Sequence, residues 1–142
     1  MQIILRTTAI LCLLAVAATA AAADFLVVVN ESNKTTNLAT KELAAIFMKK
    51  KVQWSDGTKI MPAVLPDSNP ATAAFDKQAL NKAANALHAY WQQEIFSGRN
   101  TPPVEKASDD EVVAYVQKNA SAIGYIGANA AHAGVHVVTI TE

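Results

Sequence analysis

The chain has 142 residues, and its 12 Lys and Arg side chains balance 12 Asp and Glu, so the formal net charge is zero. A near-neutral chain whose single basic run is 49–51 is a poor candidate for binding nucleic acids. The length indicates one domain with a single hydrophobic core. No apolar run reaches the roughly 20 residues that a membrane span needs.

The first 23 residues have the pattern of a cleavable signal peptide. Arg6 supplies a positive charge, a short apolar run follows, and several Ala-x-Ala sites precede Asp24. We therefore expect export and a single mature domain over residues 24–142. The one cysteine, Cys12, lies inside this leader, so the mature domain would have no disulfide, thiolate metal ligand or cysteine nucleophile.

The first half of the expected domain predicts strand, helix and strand. The apolar, β-branched run 25–29 predicts a buried strand. A polar loop follows over residues 30–37, and Thr40 is the candidate N-cap of the first helix. Residues 60–65 predict a second strand, and Pro62 suggests that this strand lies at an edge or starts irregularly.

Three further helices are predicted in the middle of the chain. Residues 67–70 form a typical helix start, with an oxygen-bearing cap followed by a proline in the first turn. A longer helix over residues 83–96 carries large apolar residues at every fourth position, which makes Trp91 a predicted core residue. Ser108 and Glu111 form a capping box at the start of the last helix.

Two strands are predicted near the end of the chain, over residues 122–126 and 135–140. The predicted order is therefore β-α-β-α-α-α-β-β. This order predicts an α/β fold in which helices flank a mixed sheet.

The helix start near Asn69 is the strongest candidate for a binding site. The first turn of a helix has free N–H groups and a partial positive charge, so it can hold an oxyanion without a basic side chain. The candidate ligands to an anion such as phosphate are Ser68, Asn69, Ala71 and Thr72, with the two hydroxyls as added donors. The competing interpretation is that this helix start only caps itself, as most such starts do.

Metal binding and catalysis have little support in the sequence. His132 and His136 are four residues apart, but a predicted strand would separate them by roughly 13 Å, too far to share an ion. No Gly-x-Ser-x-Gly motif is present, and no histidine has an evident serine partner. We expect a non-enzymatic protein without a metal or a cofactor.

Several segments resemble sequence motifs of the phosphate-binding proteins of bacterial ABC importers. The first two are Leu43–Phe47 and Trp54-x-Asp56-Gly57. Three later motifs of the family are resembled, in the same order, by Tyr90-Trp91, Phe96-x-Gly98 and residues 122–126. The resemblance covers most of the expected mature domain.

The resemblance implies one lobe of the two-lobed, type II periplasmic binding architecture, a periplasmic location and an ABC transporter or another periplasmic protein as partner. The anion loop of the family would fall on residues 65–75. Leu65 stands where the family's loop has a basic residue, and Ser68-Asn69-Pro70 replaces the central Gly-Ser-Gly of that loop. These differences remove a charge, a serine hydroxyl and an N–H donor.

The sequence thus predicts a solute-binding protein of the phosphate-binding type. A single open lobe leaves an anion half solvated, so we expect weak or incomplete oxyanion binding unless two chains pair as a homodimer and rebuild a cleft. The alternative is an accessory or interaction domain that kept the fold of the lobe without its ligand.

Overall fold

The computed structural model describes residues 24–142, and the predicted signal peptide over residues 1–23 lies outside them. The described part of the chain contains six strands and four α-helices, with a π-helical turn after the second helix. The strands are β1 (Phe25–Asn30), β2 (Asn37–Ala39), β3 (Met61–Val64), β4 (Val104–Glu105), β5 (Ala122–Gly127) and β6 (Val135–Thr141). The helices are α1 (Thr40–Phe47), α2 (Pro70–Phe75), α3 (Ala84–Phe96) and α4 (Asp109–Lys118), and the π-helical turn is Asp76–Leu80.

The strands form one mixed sheet in the order β2-β6-β1-β5-β3-β4. β1 is antiparallel to both of its neighbours, β5 and β6. β3 is parallel to β5 and β4, and β2 is parallel to β6. The predicted α/β fold with helices on a mixed sheet is confirmed.

Two neighbouring residues of β5 show that helices cover both faces of the sheet. Gly124 faces α4, where an added Cβ would lie 2.6 Å from Val112 Cγ1. Tyr125 points to the opposite face, where its ring stacks on Phe75 of α2 with the centroids 4.0 Å apart. Because both faces are covered, the consecutive valines 27–29 of β1 are all buried, as their apolar run predicts.

The two edge strands, β2 and β4, were not expected from the sequence. The predicted loop after β1 ends at Thr36, and β2 begins at Asn37. Of the two predictions for Pro62, the edge strand is wrong, because β3 lies between β5 and β4, whereas the start of β3 is irregular in that it is unpaired on the β4 side. Proline is tolerated at this place because β4 pairs only with Ala63 and Val64, so position 62 has no strand on that side.

The prediction of Thr40 as an N-cap is also wrong. Ala39 occupies the cap position in an extended conformation and makes no side-chain cap hydrogen bond. Thr40 is the first helical residue, and its hydroxyl donates to the carbonyl of Thr141 at 3.0 Å. The helix therefore begins where the pairing of β2 with β6 ends, and a tertiary contact defines the boundary.

The predicted capping at the start of α4 is confirmed. The hydroxyl of Ser108 accepts a hydrogen bond from the N–H of Glu111 at 3.3 Å. The carboxylate of Glu111 returns to the N–H of Ala107, one residue before the cap, at 2.9 Å. Both ends of this reciprocal pair are thus satisfied locally.

The predicted core position of Trp91 is wrong. Of the apolar residues at every fourth position of α3, Leu87 is buried, Trp91 is half-buried, and Ile95 is 54% exposed. The face is apolar as predicted, but α3 stands away from the sheet and lines a groove. Among residues 24–142 no helix, including this one of 13 residues, is long and apolar enough to cross a membrane.

Candidate functional site

A groove lies at one edge of the sheet, between the start of α2 and the inner face of α3. β3 leads directly into this edge, because its last residue, Val64, and the next residue, Leu65, lie in the groove wall. Its volume is about 480 Å³. The carboxyl ends of parallel strands are the usual ligand sites of open α/β sheets, so this edge is the candidate functional site.

The predicted helix start at Asn69 is confirmed in detail. Asn69 is the N-cap, and its side-chain oxygen accepts from the N–H of Ala71 at 2.9 Å. The N–H of Thr72 donates to the carbonyl of Asn69 at 3.0 Å, and Pro70 in the first turn has no N–H to offer. The first turn therefore uses these two donors within the chain.

The hydroxyl of Thr72 is part of an internal network below the groove. It donates to the carbonyl of Pro66 at 2.8 Å and accepts from the hydroxyl of Tyr125 at 3.1 Å. The same Tyr125 oxygen accepts from the N–H of Leu65 at 3.2 Å. Burial of Tyr125 raises the pKa of its hydroxyl to about 12, so the group stays a neutral donor at neutral pH. The network ties the end of β3 to α2 and β5.

The four predicted ligand residues thus lie in one turn but differ in what they offer. Ser68 is exposed, and its hydroxyl forms no hydrogen bond with the described residues. Asn69 is the helix cap, while Ala71 and Thr72 are buried beneath it. The free donor of this set is therefore Ser68, and oxyanion binding at the four residues stays a prediction.

Two acidic side chains lie beside this turn, and the sequence indicates Asp67 only as part of the helix start over residues 67–70 and does not indicate Asp76. Asp67 pairs with His88 of α3, with Oδ2 and Nε2 2.7 Å apart. Asp76 is only 8% exposed, and its carboxylate has no hydrogen-bond or ion-pair partner among the described residues. Burial raises the pKa of Asp76 to about 6, and the nearby charge of Asp67 adds to this effect while His88 opposes it. A helical-face pattern could have found Asp76, because it lies four residues after Thr72 on the buried side.

The walls of the groove are mostly apolar. Phe75 and Tyr125 lie at its floor, and both are almost fully buried. Other apolar side chains line it from three directions: Val64, Leu80, Leu87, Trp91, Ile95 and Pro102. The arrangement is a concave, apolar site with a few polar groups, as is typical of sites for small molecules.

Residues 24–142 contain no group of three or more His, Cys, Asp or Glu side chains placed to hold a metal ion. His136 lies in β6 as predicted, while His132 precedes the strand and its Nδ1 is 3.0 Å from the carbonyl oxygen of Ala130. The two imidazoles therefore belong to different local structures.

Solved structures that share the fold of this chain include the following three. A protein from Clostridium perfringens described as a phosphate ABC transporter substrate-binding protein, solved with bound phosphate, matches with a TM-score of 0.66 and 17% identity. PstS from Borrelia burgdorferi matches with a TM-score of 0.64 and 19% identity, and an ABC-type phosphate transport receptor from Vibrio cholerae with 0.58 and 18%. The matches cover 82%, 84% and 82% of this chain, but only 44%, 47% and 46% of those proteins, respectively.

The chain therefore spans less than half the length of these three proteins. The expected resemblance to phosphate-binding proteins of ABC importers, at the length of a single lobe, is confirmed. No curated protein matches the chain in sequence. A family model described as PBP superfamily domain matches residues 15–139. Because that match spans most of the chain, the protein belongs to this family of PBP superfamily domains.

Proposed function

We propose that this protein is an exported, non-enzymatic solute-binding domain that holds its ligand at the sheet edge where α2 begins. The observation that carries the proposal is the groove itself, an apolar concavity at the carboxyl end of β3 in a fold shared with substrate-binding proteins. The pattern of residues 1–23 supports export to the periplasm, and the solved structures of similar fold, described as ABC transport proteins, support an ABC transporter as the partner.

Phosphate or a similar oxyanion would bind at Ser68, Asn69, Ala71 and Thr72 only weakly. The N–H of Ala71 and the hydroxyl of Thr72 already have partners within the chain. The unpaired carboxylate of Asp76 lies nearby and repels an anion. A single lobe also leaves water around one side of the ligand, which screens the remaining attraction, unless two chains pair as a homodimer around it.

The test is a calorimetric titration of the purified protein with phosphate, and then with sulfate, at low ionic strength. We expect saturable phosphate binding with a Kd near the millimolar range, which corresponds to about −4 kcal/mol. Ser68→Ala should weaken binding, because Ser68 offers the exposed hydroxyl of the turn. The matched control is Ser55→Ala, which removes an exposed serine from a different loop. Absence of saturable heat at concentrations that detect millimolar affinity would contradict the oxyanion assignment.

A second candidate function is that of an accessory or interaction domain without a solute. The end of α3 favours it, because Ile95 is 54% exposed and Phe96 is 96% exposed. Large exposed apolar side chains side by side often mark a protein contact. Crosslinking in cells should then recover a defined partner with the wild-type protein and lose it with Phe96→Ala. Equal recovery with both proteins would rule out this surface as the contact.

A further inference from the structure

Asp76 is a largely buried residue whose carboxylate has no partner among the described residues. The residue lines the groove and is 8% exposed, and no donor between residues 24 and 142 forms a hydrogen bond or an ion pair with its carboxylate, whose oxygens keep their contact with solvent. A partly desolvated charge in this position is stabilised by any donor that a ligand brings. A ligand with a positive charge and N–H donors would give this carboxylate the partner that it lacks among the described residues.

The other charged groups that line the groove are also acidic, except for one histidine. Asp67 and Glu105 line the groove together with Asp76, and His88 is paired with Asp67. None of the lining residues found in the described part of the chain is Lys or Arg. The charges therefore favour a cation and disfavour an anion in this groove.

Two lysines lie close by but do not neutralise Asp76. Lys77 and Lys82 line a smaller adjoining depression that shares Asp67 and Asp76 with the groove. Neither lysine forms an ion pair with Asp76. The positive charge for this carboxylate is thus not provided by the flanking lysines.

The rest of the groove suits an apolar body attached to that positive charge. Leu80 extends from the π-helical turn beside Asp76, and Leu87 and Trp91 face it from α3. The volume of about 480 Å³ is ample for a small organic molecule. An aromatic side chain such as Trp91 also attracts cations.

We propose that this groove binds a small organic ammonium, a primary amine with an apolar body, whose charged nitrogen donates hydrogen bonds to the carboxylate of Asp76. The inference rests on the proposed solute-binding function but assigns the groove a ligand other than the oxyanion, because Ser68, Asn69 and Ala71 do not line the groove. An ammonium group has three N–H donors and no acceptor, so it matches a site rich in carboxylates. Apolar contacts with the α3 wall fix the rest of the molecule.

The test is a set of calorimetric titrations of the purified protein at neutral pH. The probes are 2-phenylethylamine, 2-phenylethanol and phenylacetate, which share an aromatic body and differ in the charge of the head group. We expect saturable binding of the amine, about tenfold or more weaker binding of the alcohol, and no binding of the acid. Charge-assisted hydrogen bonds differ from neutral ones by an amount that gives such ratios.

The matched variants are Asp76→Asn and Asp110→Asn. Asp76→Asn removes the charge in the groove and should weaken amine binding by about tenfold or more. Asp110 is exposed on α4, and its substitution should leave the affinity unchanged. If Asp76→Asn does not fold, which a thermal melt will show, the comparison of amine with alcohol on the wild-type protein decides the question.

Three outcomes would overturn the inference: no saturable amine binding, equal affinity for amine and alcohol, or full amine affinity in a folded Asp76→Asn variant. A phosphate titration run in parallel separates this inference from the proposed function. Phosphate binding without amine binding defeats the amine alone. If neither ligand binds, both the amine inference and the solute-binding proposal fail.

Discussion

The two longest helices of the described chain, α3 and α4, use their apolar residues in opposite ways. α4 buries Val112, Val113 and Val116 against the sheet, and each is at most 8% exposed. α3 buries Leu87 alone of its large apolar residues and leaves Phe96 almost fully exposed. The difference shows that an apolar helical face becomes a core only where a sheet lies beneath it.

The polar groups near α4 have hydrogen-bond partners, whereas a polar group beside α3 lacks one. At α4, the cap of Ser108 is satisfied, and the carboxylate of Asp109 accepts from the N–H of Gly127 at 3.1 Å. At the groove, Asp76 is buried without a partner among the described residues. One region is thus built for stability, while the other retains an unfavourable charge, as binding sites often do.

The largest expected effect comes from the core beneath the groove. Phe75 is fully buried, with ring centroids 4.7 Å from Phe47 and 4.0 Å from Tyr125. Phe75→Ala should lower the free energy of unfolding by about 3–5 kcal/mol, because it removes these contacts and leaves a cavity. Chemical denaturation measures the change.

The matched control for Phe75→Ala is Phe96→Ala, which deletes the same side chain where it is 96% exposed. Its effect on unfolding should stay within about 0.5 kcal/mol. Similar costs for the two substitutions would mean that the end of α3 is packed in solution, and the contrast between the helices would fail.

The second largest expected effect is an increase in stability, on substitution of Asp76. Burial raises the pKa of Asp76 from 3.8 to about 6, with Asp67 adding to the rise and His88 opposing it. The folded protein therefore binds the proton more tightly than the unfolded chain does, so wild-type stability falls as pH rises from about 4 to about 6. Because the carboxylate oxygens keep contact with solvent, which screens part of the charge, Asp76→Asn should be more stable than wild type by about 1–2 kcal/mol above pH 6, and of similar stability near pH 4.

Urea denaturation of the wild-type and variant proteins between pH 4 and 8 measures this difference. The other charged groups around the depression and groove, Lys77, Lys82 and Glu105 included, are common to both proteins and largely cancel. Asp110→Asn is the control, because it makes the same substitution at an exposed position of α4, away from the groove. If the difference in unfolding free energy between Asp76→Asn and wild type does not change with pH, the carboxylate of Asp76 is solvated and its pKa is not raised by burial.

The elements that could be predicted from the sequence are those whose signal is local. β1 and β5 are continuous apolar runs, α2 has its Asn69 cap and Pro70, and α4 has its capping box. β2 and β4 could not be predicted, because strands of three and two residues exist only through pairing with β6 and β3. Local patterns describe an element, while its partners decide whether the shortest strands form.

The candidate site shows the same division. The turn at Asn69 could be predicted, because capping and proline placement depend on adjacent residues. The groove could not be predicted, because it depends on the distance at which α3 passes the sheet. The periodicity of α3 predicts that Trp91 is a core residue, but Trp91 lines the groove. The position of Asp76 could not be predicted for the same reason, because the separation of α3 from the sheet leaves the Asp76 carboxylate beside a cavity.

The smallest expected effect concerns how the helices begin. Ser108→Ala should lower stability by about 1 kcal/mol, because the N–H of Glu111 loses its cap, and Ser108→Gly should cost only a few tenths. Thr40→Ala should cost less than Ser108→Ala, because Thr40 is not a cap and its bond to Thr141 is exposed. Thermal and urea denaturation compare the three variants. An equal cost at Thr40 would mean that its hydroxyl defines the start of α1 as a cap does, whereas a small cost leaves the pairing of β2 with β6 as the determinant.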